Sequence, residues 1–183
     1  MGHYRFVLTY RVNPYPEAAR TLDGKRAIQV IRSRAKEFKL DPNKVGYSGY
    51  SAGSNMARPM VNASGPGDPN AADPVDRVSS RPDYLVLVYG AGRTTPGENL
   101  KNFPPTFLVS AAGDQGPSLG NATFFSELIR AGAVAEIHVY QKGRHGFGAG
   151  AGSELFSDWM GRLEHFLKID GFLPSGPAAG GVN

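Results

Sequence analysis

The chain has 183 residues and no cysteine, and its 20 Lys or Arg against 16 Asp or Glu leave a net charge of +4. These figures exclude a disulfide scaffold, thiolate chemistry and a Cys-based zinc site, and no run approaches the ~20 apolar residues of a membrane-spanning helix. Glycine and proline make up 38 positions, above the usual share of about 12 % but short of the ~25–30 % of low-complexity disorder, so a 40 % hydrophobic content builds one loop-rich domain over residues 1–170, with residues 171–183 as a flexible tail.

In chain order, residues 4–10 (YRFVLTY) are β-rich and predict a strand, broken by the Asn13-Pro14-Tyr15-Pro16 stretch. Residues 17–38 predict a helix, with Ala27, Ile31, Ala35 and Phe38 recurring on one face and Lys25, Arg32, Lys36 and Lys39 elsewhere. The first 50 residues hold ten Lys or Arg against four Asp or Glu, a net +6. Such a basic stretch suits nucleic acid, but no aromatic platform interleaves it, so it reads as the solvated face of a helix, with no nucleic-acid partner.

Residues 44–48 predict a short strand and residues 51–61 a helix that Pro59 kinks or ends early. Residues 64–81 are a polar loop. Residues 84–89 (YLVLVY) form an unbroken apolar run, the pattern of a strand buried on both faces. Residues 106–111 and 136–141 predict two more strands and residues 121–130 a helix. Ser153 is placed to cap a last helix with the stripe Phe156, Trp159, Met160, Leu163, Phe166 and Leu167. Alternating strands and helices imply a mainly parallel sheet of about five strands flanked by helices, with chemistry at the carboxyl ends of the strands.

Gly49-Tyr50-Ser51-Ala52-Gly53 fits G-x-S-x-G between a predicted strand and a predicted helix. A serine on such a sharp turn leaves no room for bulky neighbours two residues away, which glycine at 49 and 53 relieves. The following helix points free N–H groups at the site, and the backbone N–H of Ala52 is a natural oxyanion donor. The serine needs a base, and the base an orienting acid. Of four histidines, His3 is terminal, His138 lies within a strand and His165 within the last helix. His145, in the loop GRHGFG just after a strand, can reach the serine. Asp114 directly follows the strand TFLVSA, whereas Asp83 precedes a strand and Asp158 sits in a helix. The order Ser51, Asp114, His145 is the α/β-hydrolase order.

On these residues the chain resembles the α/β-hydrolase fold serine esterases related to acetylxylan esterases, a dienelactone-hydrolase-related group that includes BD-FAE-like proteins. The matching segments are FVLTYRVNPYPEA, LDPNKVGYSGYSAGSNMA, NFPPTFLVSAAGDQ and AEIHVYQKGRHGFG, spread from about residue 5 to residue 168. The resemblance implies hydrolysis of carboxylic esters through an acyl-enzyme, without cofactor or metal. Short acyl chains follow from the lack of a long apolar lid sequence. The family's first strands and its Gly-rich oxyanion loop have no counterpart, which leaves Arg144 or a water to stand in for the second donor. The resemblance also leaves residues 4–10 without their usual neighbour strand, so a homodimer or larger assembly through this region, or a rearranged N-terminal strand, is expected. The absence of an opening signal sequence makes a cytoplasmic location the default, although relatives of this pattern are often secreted. Two rival readings remain open: a non-catalytic hydrolase fold acting in assembly or partner binding, and a lactone hydrolase or peptidase on the same fold.

Overall fold

A computed structural model describes residues 4–91, 94, 97–150, 155–156 and 158–174. His3, the expected cap Ser153 and the tail beyond residue 174 lie outside the described residues.

Four parallel strands lie side by side in chain order: β1 (Tyr47–Tyr50), β2 (Leu85–Val88), β3 (Thr106–Ala111) and β4 (Ala135–Tyr140). Their register sets Tyr47 beside Leu85, Leu85 beside Thr106 and Thr106 beside Ala135. Every residue of β2 and β3 is buried, which the unbroken apolar run at residues 84–89 predicts for β2 as a central strand of a parallel sheet. Side chains alternate between the two faces. Leu85, Leu87 and Leu108 pack with Ala57, Phe124 and Leu128 on one face. Val86, Val88, Phe107 and Val109 pack with Trp159, Phe166 and Leu167 on the other. The first face is covered by α3 (Ala52–Asn62) and α4 (Gln115–Arg130), the second by α5 (Trp159–Ile169). Outside α3 lies α1 (Glu17–Ser33), followed by one turn, α2 (Ala35–Phe38).

Among the described residues the sheet therefore has four strands rather than about five, because residues 4–10 form no ladder. They are drawn onto the helices instead. The Phe6 ring meets Phe38 at 5.0 Å, and Arg11 holds Asp23 through a fork of bonds at 2.7–3.0 Å. Among the described residues no strand pairs with the outer edge of β1.

The predicted helix 17–38 is two helices, broken at Arg34 and ended by Lys39 in a left-handed conformation (φ 54°). Its buried positions are Ala19, Thr21, Gly24, Ile28 and Ala35, while Ala27 and Ile31 are only half-buried. The helix turns to follow the Met56 and Met60 side chains of α3, which lie against Gly24. Helix α4 starts six residues before the predicted position. Gly116 and Pro117 look like a loop, but Pro117 falls in the first turn, where its missing N–H has no intrahelical partner to lose. Pro59 does not end α3, which runs on to Asn62.

Two arginines of α1 are tied to the acidic loop after α3. Arg26 pairs with Asp73 and with Asp76 (2.7 Å), and Arg32 bonds the Arg81 carbonyl (2.9 Å) and Asp83 (2.6 Å). Residues 171–174, expected to open the tail, fold back onto the domain, where Phe172 meets Tyr84 at 4.8 Å.

Candidate active site

The site is built at the carboxyl end of the sheet. Ser51 occupies the step from β1 into α3 with φ 51° and ψ −114°. A non-glycine residue held at such angles costs about 1–3 kcal/mol, which the surrounding structure must supply. The close approach explains Gly49: a Cβ there would lie 2.5 Å from the Gly53 carbonyl carbon and the Ser54 nitrogen. A Cβ on Gly53 would meet only the Tyr47 hydroxyl, at 3.6 Å, so the tight fit rests on the first glycine of the motif alone. Tyr50 ends β1, 40 % exposed.

Ser54 holds this turn to the sheet. It is fully buried, its hydroxyl donating to the Gly49 carbonyl at 2.5 Å and accepting from the Val88 N–H at 2.9 Å. Sequence reasoning missed it, although a hydroxyl one turn after an elbow serine is placed to reach back to the strand.

The structure brings Ser51, His145 and Asp114 together. His145 Nε2 lies 2.7 Å from Ser51 Oγ, and His145 Nδ1 lies 2.5 Å from Asp114 Oδ2. A carboxylate only accepts, so the proton belongs on Nδ1 and Nε2 is free to accept from the serine. Asp114 stands at the start of α4 directly after β3, and its loop touches the one that carries His145. A Cβ on Gly113 would fall 2.3 Å from the Gly143 carbonyl oxygen, so this approach also demands glycine. Ala52 is the first residue of α3, and its N–H is one of those a helix leaves without an internal partner. Arg144 adjoins His145 in the same loop.

The other candidates lie away from Ser51. His138 bonds Glu136 at 2.7 Å, and His165 lies on α5. Asp83 accepts from the Val45 N–H at 2.7 Å as well as from Arg32. Asp158 accepts from the Tyr140 hydroxyl at 2.5 Å, and this bond holds its carboxyl below the usual range. Two surface hollows of about 380 and 420 Å³ lie away from Ser51, one beside Lys25 and Gln29 and one beside Leu119 and Arg130. Among the described residues no cluster of three or more His, Asp or Glu is placed to hold a metal, and no helix is long and apolar enough to cross a membrane.

The structure of an acetyl ester-xyloside bifunctional hydrolase from Caldicellulosiruptor lactoaceticus superposes with a TM-score of 0.79 and 30 % identity, covering 90 % of this chain and 70 % of that one. The chain belongs to the α/β-hydrolase fold esterases related to acetylxylan esterases. The acetylxylan esterase of Xylanibacter ruminicola is 27 % identical over 187 aligned positions, and endo-1,4-beta-xylanase B of Butyrivibrio fibrisolvens is 26 % identical over 166. They match 89 % and 76 % of this chain, which spans 38 % and 26 % of their lengths. The esterase Est2 of Thermogutta terrifontis shares the fold at TM-score 0.74 and 21 % identity, over 92 % of this chain and 72 % of that one. No protein-family model matches the chain.

In this α/β-hydrolase chain one further residue adjoins the site. Tyr89 follows β2 with φ 41°, in the left-handed region a tyrosine rarely enters. Its ring is buried, with His145 and Phe147 each at 4.8 Å and Tyr50 at 6.0 Å. Burial pushes its hydroxyl pKa up. In the sequence Tyr89 is only the last letter of an apolar run, which is why motif reading passes over it.

Proposed function

We propose that the chain is a serine hydrolase that cleaves carboxylic esters of short acyl chains through an acyl-enzyme. The observation that carries this reading is the hydrogen-bonded line Ser51–His145–Asp114, at 2.7 and 2.5 Å, on a strained turn at the carboxyl end of a parallel sheet. Ser51 Oγ attacks the ester carbonyl carbon while its proton passes to His145 Nε2. The carboxylate of Asp114 stabilises the resulting imidazolium. The tetrahedral oxyanion faces the Ala52 N–H and the N-terminal end of α3, and one such donor is worth about 10²–10³ in rate. Collapse breaks the C–O bond, and the leaving alcohol takes the proton from Nε2. Water then attacks the acyl-serine with His145 as base, releasing the acid and restoring Ser51.

Short acyl groups suit the site because the His145 side chain is 46 % exposed, so the acyl group meets an open surface rather than a deep tunnel. The names of the relatives point to acetyl esters of xylan-derived sugars as the substrate class. Hydrolysis of p-nitrophenyl acetate by wild type, with Ser51→Ala lowered by about 10⁴–10⁶, is the expected result. Equal rates for the two proteins would refute the reading and favour a non-catalytic role. A preference for lactones or peptides would move it to another bond on the same fold.

We also propose that a second copy of the chain pairs with the open outer edge of β1. Supporting this, residues 4–10 are β-rich and unladdered, and Val7 is 96 % exposed among them. Sedimentation equilibrium showing only monomer at micromolar concentration would overturn it.

A further inference from the structure

The loop that carries His145 has little to hold it by itself. Gly146, Gly148 and Gly150 all adopt positive φ, at 89°, 56° and 73°, and nearly half of the His145 side chain faces solvent. The imidazole is nevertheless aligned with two partners at once, within 2.7 and 2.5 Å. Something must supply the order that a glycine-rich loop lacks.

Tyr89 meets that requirement from beneath. Its ring touches the His145 and Phe147 rings, each with centroids at 4.8 Å. Tyr89 is itself anchored, since its N–H donates to the Val109 carbonyl at 2.8 Å and ties it to the buried strand β3. On the far side Phe147 stacks on Phe156 at 4.3 Å and 6°, and Phe156 meets Tyr140 at 5.2 Å. The loop is thus clamped between a tyrosine on the sheet and an aromatic stack leading to β4. Tyr89 is 6 % exposed, so it offers substrate almost no surface.

We propose that Tyr89 is the positioning residue for His145, its ring fixing the plane of the imidazole and, through Phe147, the loop behind it. The proposal rests on the serine-hydrolase reading, because it assigns His145 the role of base. A residue that acts only through the base affects kcat and leaves KM alone. A displacement of about 1 Å in a reacting group costs on the order of 10²-fold.

The experiment compares wild type, Tyr89→Phe, Tyr89→Leu and Ser51→Ala. Tyr89→Leu is expected to lower kcat for p-nitrophenyl acetate about 100-fold with KM within about twofold. Tyr89→Phe keeps the ring contacts and removes only the hydroxyl, so it should recover activity to within about tenfold of wild type. A readout independent of turnover is the low-field proton resonance of the His145–Asp114 hydrogen bond. It should be sharp in wild type, Tyr89→Phe and Ser51→Ala, and broadened away in Tyr89→Leu at a temperature where circular dichroism shows the fold intact. An active wild type in which Tyr89→Leu keeps both kcat and the resonance would overturn the positioning role and leave the hydrolase reading standing. An inactive wild type whose resonance still disappears in Tyr89→Leu would sink the hydrolase reading and uphold the clamp.

Discussion

The two glycines of the elbow are equivalent in the motif and unequal in the structure, and this yields a sharp prediction. In Gly49→Ala the new methyl would sit 2.5 Å from the Gly53 carbonyl carbon and the Ser54 nitrogen, and 2.6 Å from the Gly53 oxygen. Carbon contacts are comfortable at about 3.5–4.0 Å, so the first turn of α3 must retreat by roughly 1 Å. All three contacts are backbone, and no side chain can swing aside. Overpacking of this kind costs about 1–3 kcal/mol, or about 2–12 °C in Tm for a domain of this size. The retreat also carries Ser51 Oγ and the Ala52 N–H away from their partners, so kcat should fall about 10²-fold. In Gly53→Ala the methyl finds only the Tyr47 hydroxyl, at 3.6 Å, and alanine favours the helix in which it sits. That variant should match or exceed the wild-type Tm and stay at least about tenfold more active than Gly49→Ala. The assays are thermal unfolding followed by circular dichroism and steady-state hydrolysis of p-nitrophenyl acetate. Equal Tm values and equal rates for the two variants would refute the steric argument.

Further outcomes follow from the same contacts. Asp114→Asn preserves the shape but reverses the preferred imidazole tautomer, so kcat should drop about 10⁴-fold without loss of folding, measured by single-turnover acylation. Arg58 is buried between Glu98 (2.9 Å from its Nε) and Glu127 (3.0 Å), and lies over the Phe124 ring at 4.0 Å. Burial opposes its charge, and the two carboxylates more than offset that. Arg58→Met leaves Glu98 buried and unpaired, so urea denaturation should register a loss of about 3–5 kcal/mol, part of which Glu98→Gln restores in the double variant. Asp170 ends α5 with a pKa raised by burial and then by Glu136, and its Oδ2 has no partner. A carboxyl raised on folding favours the native state below its unfolded pKa and loses that contribution as pH climbs through the folded one. Asp170→Asn should therefore raise Tm at neutral pH, with the gain vanishing under acid conditions; a gain that persists there would count against it. Asp23 and Asp73, held low by Arg11 and Arg26, have the opposite sign. Their contribution is present at neutral pH and fades as pH falls below the normal carboxylate range, so Arg26→Met should flatten the acid limb of a Tm–pH curve.

What could be read from the sequence was whatever obeys a local rule. The apolar run at residues 84–89 announces a buried parallel strand, because a strand covered on both faces need not alternate. The elbow announces itself because a strand-to-helix step in one residue needs glycine at position 49. Features decided by distant contacts were hidden. Residues 4–10 have strand composition, yet a strand is a pair property, and Phe38 captures Phe6 from outside the sheet while Asp23 holds the adjoining Arg11. The start of α4 was hidden by Gly116 and Pro117, which are loop residues in most settings and harmless in a first helical turn. Tyr89 and Ser54 carry no motif at all, and their roles exist only once β2 lies beside β1.

The site is a consequence of that sheet. The register aligns Tyr50, Val88, Val109 and His138, so the four strands reach the carboxyl edge together, and β3 and β4 then run two residues further. Ser51 leaves the first strand and Asp114 the third, two strand spacings or about 10 Å apart, too far to touch. An imidazole arriving from the fourth strand must fold back over the third to bridge them, which is why its loop needs glycines and presses Gly143 against Gly113. The second strand supplies no reacting group, but it ends directly under the bridge. A side chain leaving it in the usual β conformation would point into one of the packed faces. The left-handed turn at Tyr89 lifts the ring out of that alternation and sets it against His145, so the strain at this tyrosine and the alignment of the base are two sides of one arrangement.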